Sequence, residues 1–371
     1  MLKNDKRDTR RIITTKGELA ITRTVLRPED KESLKKLLEL ENVKCIAPLD
    51  AILKIDDLPF KMTREMMCEV AFWGQNQSSY KAASEILRKV HGISVSSEMV
   101  RTVTDYVGEI IFEQDTKEAN SVYEDLFGIS YTKNKSGVLY IQADGAALNT
   151  RTKNDEGSTW RENKLGMVFS SDNIRKSVNK KGESTSKILK KEYTSYVGSC
   201  QEFKKHLLVC ALRNGYGLYA ETVMLSDGAA WIRKIGEELF PDAVQILDLY
   251  HLCENTYAYA KAIFKNDEAK YKPWAEDIVG KLKRGKKADV VQTLKSLKNR
   301  KIPKGVVNLH TYITNNIDRI NYNEYEEKGY YVGSGAIESG NKVVLQKRLK
   351  LAGMRWSEQP AQHLLSLRAK Y

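Results

Sequence analysis

Between residues 137 and 247 the apolar residues fall into short runs, and two of these runs end in the same tripeptide, Asp-Gly-Ala. One is Val138-Leu139-Tyr140-Ile141-Gln142-Ala143 before Asp144-Gly145-Ala146; the other is Thr222-Val223-Met224-Leu225-Ser226 before Asp227-Gly228-Ala229. Each reads as a buried strand cut off by Asp-Gly turn chemistry. Strands at 138–143 and 165–169 come first, and helices at 201–213 and 229–239 then alternate with strands at 221–226 and 243–247. That order predicts a mixed α/β sheet. The Lys- and Ser-rich stretch 175–191 reads as a loop, and a helix at 250–265 leads into a Lys-rich helical region ending near residue 322. In open α/β sheets ligands gather at the carboxyl ends of strands, which is where Asp144 and Asp227 fall.

A third acid, Glu338, lies in Gly333-Ser334-Gly335-Ala336-Ile337-Glu338-Ser339-Gly340-Asn341-Lys342, where a glycine-rich loop runs into a helix. Three carboxylates at one point repel and raise one another's pKa. Hard divalent cations, Mg2+ or Mn2+, make such a cluster tolerable, and two of them serve phosphoryl transfer. Each acid alone has a plainer reading. Asp144 is then a turn former, Asp227 the N-cap of the helix opening at Ala229-Ala230-Trp231, and Glu338 half of a surface pair with Lys342. Asn341 and Lys342 stand at i+3 and i+4 from Glu338, on its helix face and placed to meet a phosphate.

Charge points to a polyanionic partner. The 371 residues include 61 Lys+Arg against 48 Asp+Glu, a net +13, and nucleic acid is the first candidate for such a balance. The excess is concentrated. Lys281 to Lys304 holds ten basic residues and one acid, among them Lys283, Arg284, Lys286 and Lys287. Arg175 to Lys191 holds seven and one, as does Ser339 to Tyr371, which carries Lys347, Arg348, Lys350 and Arg355. Arg355 with Trp356 offers a cation and a stacking plane for a base, with core packing of the Trp as the alternative. The five cysteines show no Cys-x-x-Cys spacing, which argues against structural zinc and for reduced thiols. The charged start Met1-Leu2-Lys3-Asn4-Asp5-Lys6-Arg7 is no signal peptide, and no apolar run approaches the ~20 residues of a membrane helix. The expected location is the cytoplasm, in association with the nucleoid, with no membrane partner.

Ahead of the strands, residues 1–30 alternate weakly and Lys16-Gly17 can turn a hairpin. Residues 31–136 read as helical. A helix starting at Ser78-Ser79 carries Ala82, Ala83, Ile86 and Leu87, and His91-Gly92-Ile93-Ser94 turns the chain. A helix capped by Ser96-Ser97 then carries Val100, Val103 and Val107. Over 78–110 this fits a helix-turn-helix with Ser97, Arg101 and Thr102 facing a DNA groove, and equally an ordinary helix pair.

Three blocks carry a family resemblance. They are Leu225-Ser226-Asp227-Gly228-Ala229-Ala230-Trp231-Ile232, the stretch from Phe240-Pro241 to Leu247-Asp248-Leu249-Tyr250-His251-Leu252, and Tyr331-Val332-Gly333-Ser334-Gly335-Ala336-Ile337-Glu338-Ser339. Together with Lys350-Leu351-Ala352-Gly353-Met354-Arg355-Trp356 they resemble bacterial insertion-sequence transposases of the ISLre type, relatives of the Mutator-like DDE transposases. The resemblance runs from about Tyr80 to the C-terminus. It implies an RNase H-like catalytic core in two parts, 137–265 and 323–371, around a basic helical insertion at 266–322. The core would follow a mainly helical DNA-binding region. Asp144, Asp227 and Glu338 would be the catalytic residues and the ligands of two Mg2+ or Mn2+ ions. The implied activity is cutting and joining double-stranded DNA at mobile-element ends, by a homo-oligomer assembled on DNA. Asp248 and His251 match the spacing of an acid or Cys three residues before a His in the wider Mutator-like group, and read as supporting residues. Trp160-Arg161-Glu162 belongs to the resemblance as well. Relatives usually carry more chain ahead of this point, so the chain is expected to be shortened at its N-terminus. The rival readings are a nuclease that cuts without strand transfer and a DNA-binding protein that has kept the fold without the chemistry.

Overall fold

A computed structural model describes residues 2–38, 45–125, 132–178 and 184–370. The chain divides into two units, Met1–Ile111 and Phe112–Tyr371, with the boundary inside the helix Ser97–Glu124. In the first unit, β1 (Leu2–Thr14) and β2 (Gly17–Pro28) form an antiparallel hairpin that turns at the Lys16-Gly17 position read from the sequence. Asp50, only 3% exposed, holds both strands of that hairpin by accepting from Arg10 at 3.1 Å and Arg23 at 2.6 Å. The helices Arg64–Asn76, Tyr80–His91 and Ser97–Glu124 close on Met62, Met66, Val70, Leu87, Val100 and Val103. Ser79 and Ser96 cap the second and third of these helices, donated to by Ala82 and Met99 N–H, each at 3.1 Å.

The second unit is built on a five-stranded mixed sheet. Its strands are β3 (Lys135–Asn149), β4 (Trp160–Ser170), β7 (Glu192–Val197), β8 (Tyr219–Ser226) and β9 (Val244–Leu247), in the spatial order β7-β4-β3-β8-β9. The first three pair antiparallel, while β8 and β9 run parallel to β3. The expected mixed α/β architecture is thus present. Parallel strands need covering on both faces. Helices Cys200–Arg213 and Ala230–Leu239 cover one face over Ile141, Val168 and Met224. The other face, over Tyr140, Leu165, Val223 and Ile246, is covered by helix Leu249–Ile263, the helical segment that follows it, and the stretch from Gly335 onward.

Two readings are corrected. The segment 175–191 is not a plain loop. Within it β5 (Ile174–Val178) and β6 (Ser184–Ile188) pair antiparallel, and β7 follows directly. The hairpin's sequence is rich in Ser, Lys and Arg and lacks the apolar alternation by which strands are recognised. Nor does Asp144-Gly145-Ala146 end its strand, since β3 continues through it to Asn149, pairing with β4 up to Asn149↔Trp160. Gly145 serves close packing there, because the Glu162 carboxylate occupies the space a Cβ would take. At the second tripeptide the turn is real: β8 stops at Ser226, and Gly228 has φ +95°.

The outer edge of β7 is closed by a side chain. Gln362, on the buried helix Glu358–Lys370, accepts from Val197 N–H at 2.7 Å and donates to the Ser195 carbonyl at 3.0 Å. Its amide offers one donor and one acceptor, as a peptide of a sixth strand would. Gln362→Leu should therefore strand two buried backbone groups and destabilise the chain by about 2–4 kcal/mol. Urea denaturation at neutral pH reads this directly, and a change within experimental scatter would mean that water satisfies the edge.

Candidate active site

The register of the parallel strands determines where three aspartates fall. Gln142 lies level with Leu225, and Ser226 level with Leu247. Carried on to the strand ends, the same registers set Asp144, Asp227 and Asp248 side by side across β3, β8 and β9. The Asp248 N–H donates to the Ser226 carbonyl at 2.8 Å, so the ladder does continue to that level. Burial, and then the negative charge of Asp227, push the Asp144 carboxyl above the ordinary carboxylate range. Asp144 accepts from Gly145 N–H at 2.8 Å and from the Asn341 amide at 2.6 Å. Asp227 accepts from Ala229 N–H at 2.9 Å, closing the turn at the head of the next helix.

Asp248 is fully buried and caps helix Leu249–Ile263, its Oδ1 accepting from Tyr250 N–H at 2.5 Å and His251 N–H at 3.1 Å. Its Oδ2 is buried without a hydrogen-bond partner. Burial raises its pKa, and the nearby Ser334 hydroxyl acts in the opposite sense. That hydroxyl is itself bonded to Glu338 Oε1. Glu338 sits in the first turn of helix Gly335–Asn341, which passes into a π-helical turn, Lys342–Gln346. Asn341 is 3% exposed and Lys342 is exposed, so the two residues beyond Glu338 face different surroundings. His251 is half-buried, with Nδ1 3.3 Å from Glu254. Among the described residues no group of three or more His, Cys, Asp or Glu side chains is close enough to hold an ion. Asp144 and Asp227 thus lie within each other's field, while Glu338 is held by Ser334.

Two contacts leave no signal in the sequence, and both come from the helical segment after Leu249–Ile263. The Tyr312 hydroxyl donates to the Asp227 carbonyl at 3.2 Å, and burial pushes its pKa up to about 12. Arg319, 1% exposed, donates to the Ser226 hydroxyl at 2.6 Å. Only long-range pairing brings these residues back to the end of β8.

The residues expected on DNA divide into exposed and internally bound groups. Lys283, Arg284, Lys286, Lys347, Lys350 and Arg355 are exposed. Lys287 is turned inward, donating to the Ile317 carbonyl at 3.1 Å and to Asn321 Oδ1. Arg348 is 2% exposed and stacks on Trp356 at 5.1 Å, which corrects its reading as a DNA contact. Trp356 is anchored as well: its indole donates to the Leu349 carbonyl at 3.1 Å and its backbone bridges to Thr150. The packing alternative holds for that residue. In the first unit Ser97 is exposed, Thr102 donates to the Glu98 carbonyl at 2.9 Å, and Arg101 is paired with Glu98 at 2.6 Å.

These elements define a mixed α/β protein in which Asp144, inside β3, lies level with Asp227 and Asp248, just past the ends of β8 and β9. The chain belongs to the uncharacterised protein family UPF0236, whose model matches residues 5–371. No curated protein matches it significantly.

The coupling between the first two acids is testable without a substrate. Asp227→Asn keeps the oxygen that accepts from Ala229 and removes the charge. Asp144 should then titrate lower, yet remain above the ordinary range of an aspartate, because burial is the larger cause of its shift. A carboxyl whose pKa is raised by folding costs stability once it ionises, so the cost sets in as pH rises from the unfolded value through the folded one. Asp227→Asn should accordingly be the more stable protein at neutral pH, with the gain vanishing below about pH 4. Carboxyl 13C NMR gives the titration and denaturant melts give the stability. An unmoved Asp144 would show the two acids to be independent.

Proposed function

We propose that this chain is a DDE-type transposase that cuts and joins DNA at mobile-element ends by metal-dependent phosphoryl transfer. The observation that carries the reading is the level pair Asp144 and Asp227 on adjacent parallel strands, with Asn341 of the Glu338 helix bonded to Asp144. The sheet supports an RNase H-like core: an antiparallel meander of three strands is followed by two strands parallel to the first, and the acids lie inside the first and just past the end of the fourth. The motif blocks around Asp227, Asp248 and Glu338 support the same class.

The donor set suits Mg2+ or Mn2+. Carboxylate oxygens are hard ligands, and a divalent cation would relieve the repulsion and burial that now disfavour charge on Asp144. Asp144 and Asp227 would hold the ions, with Glu338 joining once it leaves Ser334. Bound there, the ions supply activation of the attacking water or 3′-hydroxyl and neutralise the leaving oxygen. The protein's own part is positional. Asn341 orients Asp144, Tyr312 and Arg319 fix the end of β8, Asp248 fixes the start of its helix, and exposed Lys342 meets a phosphate.

Replacing Asp144, Asp227 or Glu338 with Ala should reduce Mg2+-dependent cleavage of element-end DNA by at least about 10²-fold. The losses should not add, because the ligands act as one unit. DNA binding, measured by fluorescence anisotropy, should survive each change. Full cleavage by Asp144→Ala or Asp227→Ala would overturn the proposal, whereas full cleavage by Glu338→Ala alone would remove only the third ligand. Pre-cleaved 3′-hydroxyl ends separate the transposase from a simple nuclease, since only the former joins them to a target.

Phosphate neutralisation should come from the exposed cations of the helical segment. Changing Lys283, Arg284 and Lys286 together to Ala should flatten the log–log salt dependence of duplex binding by about 0.9 for each phosphate no longer neutralised. Lys287→Ala should leave that slope unchanged, because its ammonium is already bound inside. An unchanged slope in the triple variant would remove this segment from the DNA path.

A further inference from the structure

Two sequence blocks that the acids do not account for, Trp160-Arg161-Glu162 and the stretch from Lys350 to Trp356, meet at the far end of the β3–β4 ladder. Trp160 pairs with Asn149, the last residue of β3. On the other side of β3, where β8 has already ended, Trp356 bridges to the chain. Its N–H donates to the Asn149 carbonyl at 3.1 Å, and Arg151 N–H donates to its carbonyl at 2.9 Å. Side chains alternate between the two faces of such a ladder. Trp356 therefore shares a face with Thr150, against the core, whereas Asn149, Arg151 and Trp160 share the opposite face, where Arg355 joins them.

That face is open and carries free cations. Trp160 is 52% exposed, and its ring has no aromatic or cationic partner among the described residues. Each of the other four tryptophans has one: Trp73 with Phe72, Trp231 with Phe203, Trp274 with Tyr259 and Trp356 with Arg348. Arg151 and Arg355 are exposed, and neither has an acid partner among the described residues. Arg151 Nε donates instead to the Arg355 carbonyl at 3.4 Å, which keeps its guanidinium beside Arg355. Glu162, on the same face, is held by Lys164 at 2.7 Å, while Lys153, Asp155 and Glu156 lie exposed in the connection from β3 to β4. An open indole beside unneutralised guanidiniums suits an unpaired nucleobase, which stacks on the ring while the cations meet its phosphates. A base inside a duplex has no face to offer it.

We propose that this face binds single-stranded DNA, with Trp160 as the stacking plane for one unpaired base and Arg151 and Arg355 as its phosphate contacts. The plane expected at Trp356 is thus supplied by Trp160. Asn149 stands five residues beyond Asp144 on β3 and on the opposite face, about 17 Å away at the rise of an extended strand. The face therefore holds DNA away from the acids and serves binding, not the chemical step. The inference rests on the reading of DNA as the substrate and is independent of any metal.

Fluorescence anisotropy of the full chain with a labelled oligothymidylate, and with a blunt duplex, tests it. Trp160→Ala should weaken binding of the oligothymidylate about tenfold, the equivalent of one stacked base, and binding of the duplex less than about twofold. Trp160→Phe keeps an aromatic plane and should stay within about threefold of wild type. Arg151→Ala/Arg355→Ala should lower the log–log salt slope on the single strand by about 1.4, at about 0.7 for each phosphate. Because Trp160 lies outside the core, Trp160→Ala should melt with the wild type. A Trp160→Ala that binds oligothymidylate like wild type, or that loses the duplex as much as the single strand, overturns the proposal. So does one that changes sedimentation of the free protein while binding DNA unchanged, since the face is then a contact between copies of this chain. A ribo-oligomer bound about tenfold more tightly than its deoxy counterpart assigns the face to RNA and overturns it too. If the wild type binds neither single strand nor duplex, the DNA reading falls and this inference with it. If the wild type binds and cleaves DNA while Trp160→Ala holds the single strand unchanged, only the inference falls.

Discussion

Parallel hydrogen bonding among β3, β8 and β9 is the constraint on which the rest of the second unit depends. Once Gln142 is level with Leu225 and Ser226 with Leu247, Asp144, Asp227 and Asp248 become neighbours whatever lies between them in sequence. A slip of one residue in either pairing would turn a strand's side chains to the opposite face. The apolar contacts on the two faces of the sheet, Tyr140 and Val223 on one, Ile141 and Met224 on the other, oppose such a slip. The hydrophobic cores therefore hold Asp144 and Asp227 together against their repulsion, and packing energy sustains a pair that electrostatics alone would disperse.

The helical segment after Leu249–Ile263 works in the same direction. Tyr312 on the Asp227 carbonyl, Arg319 on Ser226 and Tyr322 on the Leu247 carbonyl at 2.9 Å all end on the last residues of β8 and β9. A strand end has no further ladder to satisfy its carbonyls, and Tyr312 and Tyr322 supply donors to two of them, while Arg319 holds the Ser226 hydroxyl. Lys287, bonded to the Ile317 carbonyl, ties the segment to itself. The basic character of this region thus serves two ends, with some cations holding it in place and others facing outward.

How much of this is legible in the sequence follows from the kind of signal each feature leaves. The strands with apolar runs, the turn at Lys16-Gly17 and the cap at Ser79 rest on local patterns and are found in the structure, although β3 runs on past its expected end to Asn149. The β5–β6 hairpin and β7 escape such a reading because polar strands have no periodicity to follow. Gly145 misleads because an Asp-Gly pair looks the same in a turn and in a strand crossed by Glu162. Charge misleads in another way. Arg348 against Trp356, and Arg368 donating to the Val344 carbonyl at 2.7 Å, count toward the basic C-terminal stretch yet lie inside. Burial, and then the charge of Arg348, push Arg368 down to about 10. Net charge by segment measures composition, and which cations reach solvent is decided by folding. The alignment of Asp248 with the two Asp-Gly-Ala acids is out of reach for a related reason, since register is a property of pairs of strands and not of either one.

Gln362 closes the edge of β7 from a helix near the far end of the chain, more than 160 positions after the strand it covers. A ribosome making this protein delivers β7 long before the helix that covers it. During that interval the strand presents unpaired backbone groups to whatever is at hand, another nascent chain included. The order of synthesis therefore leaves the sheet open to β-pairing with a neighbour until residue 362 has emerged. Slow or stalled translation of the last third of the message would lengthen that exposure and turn a stable fold into an aggregation hazard. Chaperone demand for this protein should then track the time spent making its C-terminal helix more closely than its stability once complete.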